Sequence, residues 1–437
     1  MSDPDKPRLV YITAGAGGMY CGSCLHDNAL AKALAKINWD VQLVPFYTPI
    51  RTDEQDSSVD QVFFGGINVY LQQKIPLFRY LPRFLDRILD NPRLIRRVTS
   101  RAIDTNAATL GDLALSVLKG SVGNQRKEVR RIVDWLVNSA RPDVIIVSNM
   151  LVAGFVPELK RMRNIPTLIT LQGDDVFLEG LPIAYREKCL TLIQQLGRHV
   201  DGYIVHSHAF ADRMSKYLGL PRAQMHVTPL GLDTTDFANL PPRETASSRP
   251  FTIGYLARLA REKGLHYLVD AFILFKQMPE ARYARLEIAG WLSPESQRYA
   301  DEQFARLKQS GLGDSFRYWG VVDRCEKLKF LSQIDLLSVP TEQAEPKGLF
   351  VLEAMAAGVP VVQPAIGAFP EMIEPSGGGV LVPPADPKKL AAAWRELLLS
   401  PEKLAELGRN GRNFVHAHRN ANSMAESTSE VLKRVGK

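Results

Sequence analysis

The sequence predicts an α/β protein built from two parallel-sheet domains, and three observations carry that expectation. Short β-branched runs alternate with helix-period segments through the first half of the chain. The same alternation restarts near residue 251. Between the two lies Asn239-Leu-Pro-Pro-Arg-Glu-Thr-Ala-Ser-Ser-Arg-Pro250, rich in proline and small polar residues and without periodicity. Strands that recur after helices form βαβ units, whose strands run parallel. An aperiodic Pro/Ser-rich segment reads as a linker. A length of 437 residues suits two or three domains at roughly 100–200 residues each.

The elements follow in order. Arg8-Leu-Val-Tyr-Ile-Thr13 is a β-branched and aromatic strand that ends in Ala14-Gly-Ala-Gly-Gly18. Leu25, Ala29, Leu30, Ala33 and Leu34 recur at helical spacing, and Val41-Gln-Leu-Val44 is a second strand. Asp143–Val147, Thr167–Thr170 and Gly202–Val205 are runs of the buried type. In the second half the strands are Phe251–Leu256, Leu286–Ala289, Ile334–Val339 and Val359–Val362, with a helix over Leu265–Phe275. Two such domains bind ligand where the carboxyl ends of their strands lie.

Apolar residues at 45% and charged residues at 23% exclude a disordered chain. No apolar run reaches the ~18 residues of a spanning helix, and the first residues lack a signal peptide's basic flank and apolar core. Four cysteines make no disulfide framework and fit a reducing, cytoplasmic setting. The formal charge is +7. Lys74 to Arg131 holds thirteen Lys/Arg against five Asp/Glu, a local excess of eight that accounts for all of it.

Gly15-Ala-Gly-Gly-Met-Tyr20 between strand and helix resembles a phosphate-binding turn. Tyr20 stands at the third glycine position and no acidic residue closes the second strand, which argues against a nicotinamide dehydrogenase. Cys21-Gly-Ser-Cys24 has redox or half-zinc spacing, but Cys189 and Cys325 are isolated, so the pair reads as loop packing and no metal is expected. Arg258 and Lys263 flank a short loop after the first strand of the second half, where two cations could bracket a diphosphate. Glu345 and Glu353 sit eight apart, one in a loop and one in an Ala/Leu-rich helix. A carboxylate among Leu352, Ala354 and Met355 either pairs with a nearby cation or accepts hydroxyls from a ribose or sugar.

These residues, with Gly367-to-Glu371 and Pro229-Leu-Gly231-Leu-Asp233, resemble the retaining GT-B glycosyltransferases of family four, the glycosyl transferases group 1. The resemblance implies two Rossmann-like domains facing across a cleft. Residues 1–238 would form the acceptor-side domain, 239–250 the linker and 251–415 the nucleotide-sugar domain, with a helix over 416–437 crossing back to the first. Arg258 and Lys263 would grip the diphosphate, Glu353 the ribose and Glu345 the transferred sugar. Gly348 and Leu349 would offer backbone N–H groups, and Gly17 with Gly18 would close over the donor. The family needs no cofactor and no side-chain nucleophile, because the leaving phosphate accepts the incoming hydroxyl's proton.

Gln172 stands where many members carry a histidine, with Asp174 two residues on, both expected on the acceptor or sugar side. Lys347 stands where an aromatic residue is common. The Lys-x-Gly-Gly loop of glycogen and starch synthases is absent from Gly15-Ala16-Gly17-Gly18. The expected function is transfer of a sugar from a UDP- or GDP-type donor to a hydroxyl acceptor the sequence does not identify. An epimerase-like GT-B activity and a non-catalytic nucleotide-sugar binder are the alternatives. No nucleic-acid partner is expected. Leu77 to Leu89 has helical apolar spacing with Arg79, Arg83 and Arg87 on it. Residues 74–131 are read either as a solvated amphipathic face or as a peripheral contact with the anionic inner face of the membrane.

Overall fold

The computed structural model describes residues 6–15, 22–50, 54, 56–58, 73, 107–240 and 249–436. Gly17, Gly18, Cys21, Leu77 to Arg101 and residues 241–248 of the expected linker lie outside the described residues. The chain divides into two compact units, Met1–Pro229 with Met424–Lys437, and Leu230–Ser423.

The first unit holds β1 (Arg8–Thr13), β2 (Asp40–Pro45), β3 (Val144–Val147), β4 (Thr167–Thr170), β5 (Gly202–Val205) and β6 (Met225–Val227). They form one parallel sheet in the order β2-β1-β3-β4-β5-β6. Runs such as Val144-Ile-Ile-Val147 are buried at every position, as a parallel sheet covered on both faces requires. Helix α1 (Gly22–Lys36) returns the chain from β1 to β2. The core gathers Ile12, Val44, Ile145, Phe155, Ile169 and Tyr203. The C-terminal helix belongs to this unit in its greater part, and Ser429 accepts the indole N–H of Trp39 at 2.9 Å.

The second unit repeats the plan with β7 (Thr252–Leu256), β8 (Arg285–Ala289), β9 (Phe316–Tyr318), β10 (Leu336–Leu337), β11 (Val361–Pro364) and β12 (Gly379–Val382). Its parallel sheet runs β12-β11-β10-β7-β8-β9. Phe272, Phe275 and Trp394 fill the core behind it, wholly buried. In both sheets the order reverses beside the first strand, between β1 and β3 and between β7 and β10. The carboxyl ends of strands at such a reversal splay apart and leave a crevice for ligand.

The two parallel sheets agree with the α/β expectation. Gly202–Val205 and Thr167–Thr170 match the sequence reading residue for residue. Strand β10 is shorter than the expected Ile334–Val339: the Ser338 N–H still donates to Gly254 O at 2.9 Å, but the Val339 N–H turns to the Gln363 side chain at 3.1 Å. No helix among the described residues is long and apolar enough to cross a membrane.

Candidate active site

In the second unit the loop after β7 is braced from beneath. The Tyr255 hydroxyl, on a fully buried ring, donates to the carbonyls of Arg258 (3.0 Å) and Lys263 (3.4 Å). Gly264 then turns the chain into helix α2 (Leu265–Lys276) with φ +70°, and a Cβ there would meet Pro340 O at 1.7 Å. Only glycine allows both that dihedral and that approach. The Glu342 N–H donates to Glu262 O at 3.0 Å. The loops following β7 and β10, on either side of the reversal, are thus one rigid piece. Arg258 lies on it half-exposed, its guanidinium 3.0 Å from Glu262.

Lys263 reaches from this piece to Glu345 and donates to its Oε2. Glu345 is buried, and the Gly348 N–H reaches its Oε1 at 3.2 Å. Burial pushes the Glu345 carboxyl up, but the Lys263 ammonium and the Gly348 and Lys347 N–H groups outweigh it and hold it below the usual carboxylate range. The backbone of Glu345 is clamped as well. Its carbonyl accepts the Ala368 N–H at 3.0 Å, and Gly367, at φ +62°, lies so close that a Cβ would meet Glu345 N at 2.5 Å. Gly348, in the left-handed region at φ +66°, opens helix α4 (Leu349–Ala356), which follows helix α3 (Arg324–Gln333) in the chain. The Gly348 N–H, expected to face the donor, therefore donates to Glu345. Leu349 begins α4, whose first N–H groups have no intrahelical acceptor.

Glu353 lies on α4 and is buried. Its Oε1 accepts from Lys327 Nζ at 2.7 Å, so the nearby cation considered from sequence is present. Lys327, itself buried, projects from α3, which starts with a reciprocal cap between Asp323 and Glu326. Sequence reasoning missed Lys327; its partner is 26 residues away, and one of two lysines on that helix carries no local mark. Lys347 is buried in the loop between the two glutamates.

In the first unit the predicted residues follow β4. The Gln172 amide donates to Asp27 Oδ1 (2.8 Å) and to Ser148 O (3.2 Å). Asp174 is buried, and its two oxygens accept the N–H groups of Met150 (2.7 Å) and Gln172 (3.1 Å). Burial pushes its carboxyl up to about 6 despite those bonds. Asp174 thus ties the ends of β3 and β4 together instead of reaching outward. Cys24 is buried. Asp27, His26 and Asn28, all buried on α1, were not foreseen. Three successive polar residues, His26-Asp27-Asn28, within an otherwise Ala/Leu-rich helix are the signal that could have found them.

The comparisons with known proteins follow the same division. Residues 236–414 match Glycosyl transferases group 1, and residues 28–231 match Glycosyl transferase 4-like domain. A glycogen synthase of Mycobacterium tuberculosis (strain ATCC 25618 / H37Rv) is 26% identical over 354 residues, 77% of this chain and 79% of its own. The putative colanic acid biosynthesis glycosyltransferase WcaL of Escherichia coli (strain K12) is 30% identical over 251 residues, 55% of this chain and 58% of its own. Among solved structures, sucrose-phosphate synthase from Thermosynechococcus elongatus superposes with a TM-score of 0.69 at 20% identity, covering 98% of this chain and 99% of that one. Anabaena HepE in complex with UDP gives 0.67 at 17% identity, covering 98% and 100%. Two six-stranded parallel sheets and these structures define the GT-B fold, and the family matches with the curated relatives make the chain a glycosyltransferase. Within that class the chain belongs to the group 1 glycosyl transferases, the family its Arg258, Lys263 and Glu345-x7-Glu353 resemble.

Proposed function

We propose that this glycosyltransferase moves a sugar from a nucleotide diphosphate-sugar, of the UDP or GDP type, to a hydroxyl acceptor with retention of anomeric configuration. The observation that carries the reading is the Lys263–Glu345 pair at the β7/β10 reversal, held on one braced piece with Arg258. Departure of a diphosphate builds negative charge, and a preorganised ammonium and guanidinium lower that barrier without reorganising. Glu345, ionised beside Lys263, is suited to accept hydroxyls of the transferred sugar. Glu353 would take the ribose hydroxyls, Leu349 would offer a backbone N–H, and Gly17 with Gly18 would close over the donor. Gln172 and its loop, shaped by Asp174, would meet the sugar or the acceptor. Support for the donor class comes from relatives and neighbours: HepE was solved with UDP and with UDP-glucose, and a Mycobacterium tuberculosis relative, 26% identical over 279 residues, is named a GDP-mannose-dependent mannosyltransferase.

The enzyme would act in the cytoplasm, with the basic stretch of residues 74–131 resting on the anionic inner face of the membrane. Each basic residue near anionic lipid contributes about 1 kcal/mol, so four or five would hold the protein reversibly. Salt-sensitive co-sedimentation with anionic but not neutral vesicles, weakened by changing Arg79, Arg83, Arg87 and Arg97 to Gln, is the expected result; no binding to either vesicle at low salt refutes it. The donor reading is tested by thermal-shift screening of UDP-glucose, GDP-mannose and related nucleotide-sugars. Arg258→Ala, Lys263→Ala and Glu353→Gln should each weaken nucleotide binding by one to two decades, about 1.5–3 kcal/mol per lost charge-assisted contact. Unchanged affinity in all three variants would sink the assignment.

A further inference from the structure

Lys327 has no part in the function proposed above, yet its ammonium meets the carboxylate proposed there for the ribose. The Lys327 side chain is 10% exposed and that of Glu353 6%, and Nζ lies 2.7 Å from Oε1. A nearly dry ion pair adds little that apolar residues of similar shape would not, because desolvation offsets the attraction. The pair is therefore better explained by what it orients than by what it adds to folding.

Both members of the pair stand on fixed supports. On α3, Phe330 and Leu331 follow Lys327 by three and four residues, so they share its face, and both are wholly buried. The reciprocal cap of Asp323 and Glu326 fixes the start of that helix. Beside it Arg324 donates to Asp236 at 2.9 Å and lies over the Phe237 ring at 4.7 Å. On α4 the side chains lean toward the helix N-terminus, so the Glu353 carboxylate lies over the turn that begins at Leu349. A helix that follows a strand in such a sheet starts at the strand's carboxyl end, which puts that turn beside the β7/β10 reversal where ligand binds. Oε1 is taken by Lys327. Oε2 accepts from no described residue and is not enclosed, so it keeps access to solvent. A carboxylate paired with an ammonium accepts hydrogen bonds and gives none. Its outer oxygen suits a hydroxyl and repels a phosphate.

We propose that Lys327 is a positioning residue for the donor: by holding Glu353 Oε1 it aims Oε2 at a ribose hydroxyl, and so sets a preference for a ribonucleotide over its deoxy forms. This rests on the reading of Glu353 as the ribose contact. The test is calorimetric titration of the full chain with UDP and GDP, each beside its 2′-deoxy and 3′-deoxy forms. The parent should bind one ribonucleotide about tenfold or more tighter than at least one of its deoxy forms, the worth of a charge-assisted hydrogen bond. Lys327→Met keeps the apolar stem and should bring that ratio to within about twofold, while affinity for the deoxy form stays within about threefold of the parent's. Glu353→Gln should itself remove the preference, and Lys327→Met added to it should change the ratio no further, since the two act through one contact. Asp323→Ala removes the cap of α3 and should lower the melting temperature but not the ratio. Should Lys327→Met not fold, Lys327→Gln, neutral and shorter, takes its place with the same expected loss of preference. A ratio unchanged on loss of Lys327, an equal drop for ribo- and deoxynucleotides, or a ratio that falls as far in Asp323→Ala overturns the positioning role. A preference that survives Glu353→Gln, or a parent that shows none or binds neither nucleotide, overturns the ribose reading itself and the proposal with it.

Discussion

Replacing Lys263 by methionine keeps the length and apolar stem of the side chain and deletes the cation that Glu345 faces. The Lys263 side chain is 17% exposed and that of Glu345 7%, so the pair is nearly dry. Deleting one partner of a buried pair costs ~3–5 kcal/mol because the other charge is stranded. The Gly348 N–H remains on Glu345 at 3.2 Å and Lys263 is not fully enclosed, which places the loss nearer ~2–3 kcal/mol. For a unit the size of Leu230–Ser423 that is roughly 5–10 °C in melting temperature. The deficit should depend on pH. In the parent the Glu345 carboxyl is held below its ordinary value of 4.5, so its contribution is present above that pH and lost as pH falls through the lower folded value. Without Lys263, burial is no longer outweighed and raises the folded value. The variant then approaches the parent only in acid, where the parent also loses this contribution; it is already deficient at pH 5 and more deficient at pH 8, where its carboxyl must ionise. Differential scanning fluorimetry of the parent, Lys263→Met, Glu345→Gln and the double variant at both pH values reads this directly. The double variant should lose less than the sum of the singles. Equal deficits at pH 5 and 8, or strict additivity, would refute the claim that Lys263 holds Glu345 ionised.

Asp174, pushed up to about 6 by burial, has the opposite sign. It favours folding below its unfolded value near 4 and loses that contribution, about 2–3 kcal/mol, as pH rises to 6. The melting temperature of the parent should therefore climb less, or fall more, between pH 4 and 6.5 than that of Asp174→Asn; parallel profiles would refute it. Gly367→Ala places a methyl against Glu345 N and O at a left-handed dihedral, and should lower both nucleotide affinity and melting temperature by displacing that loop, as a thermal-shift titration with UDP would show. Transfer should persist in excess EDTA, because Arg258 and Lys263 supply the positive charge that a divalent ion provides elsewhere; loss restored by Mg²⁺ or Mn²⁺ would contradict this.

The parts of the fold visible in the sequence are those that local pattern specifies. Strands β3, β4 and β5 are central and buried at every position, so each is built around β-branched, aromatic or other apolar residues and reads as a strand. The three strands the sequence did not reveal, Met225–Val227, Phe316–Tyr318 and Gly379–Val382, are all at sheet edges. An edge strand pairs on one side only and is partly exposed, so three or four residues of mixed polarity suffice and leave little periodic signal. Glycine loops and the two glutamates were likewise legible, because turn chemistry and motif spacing are properties of neighbouring residues. Which group each charge meets was not. Glu353 finds Lys327 from another helix, Lys263 finds Glu345 across the β7/β10 reversal, and Gln172 finds Asp27 145 residues earlier in the chain. By itself the sequence determined the two α/β domains and the candidate donor residues, since burial pattern and backbone conformation are encoded locally. Only the tertiary structure decided the partners of those residues, because a buried charge is satisfied by whatever side chain the packed sheets bring within 3 Å, and that is a property of the whole unit.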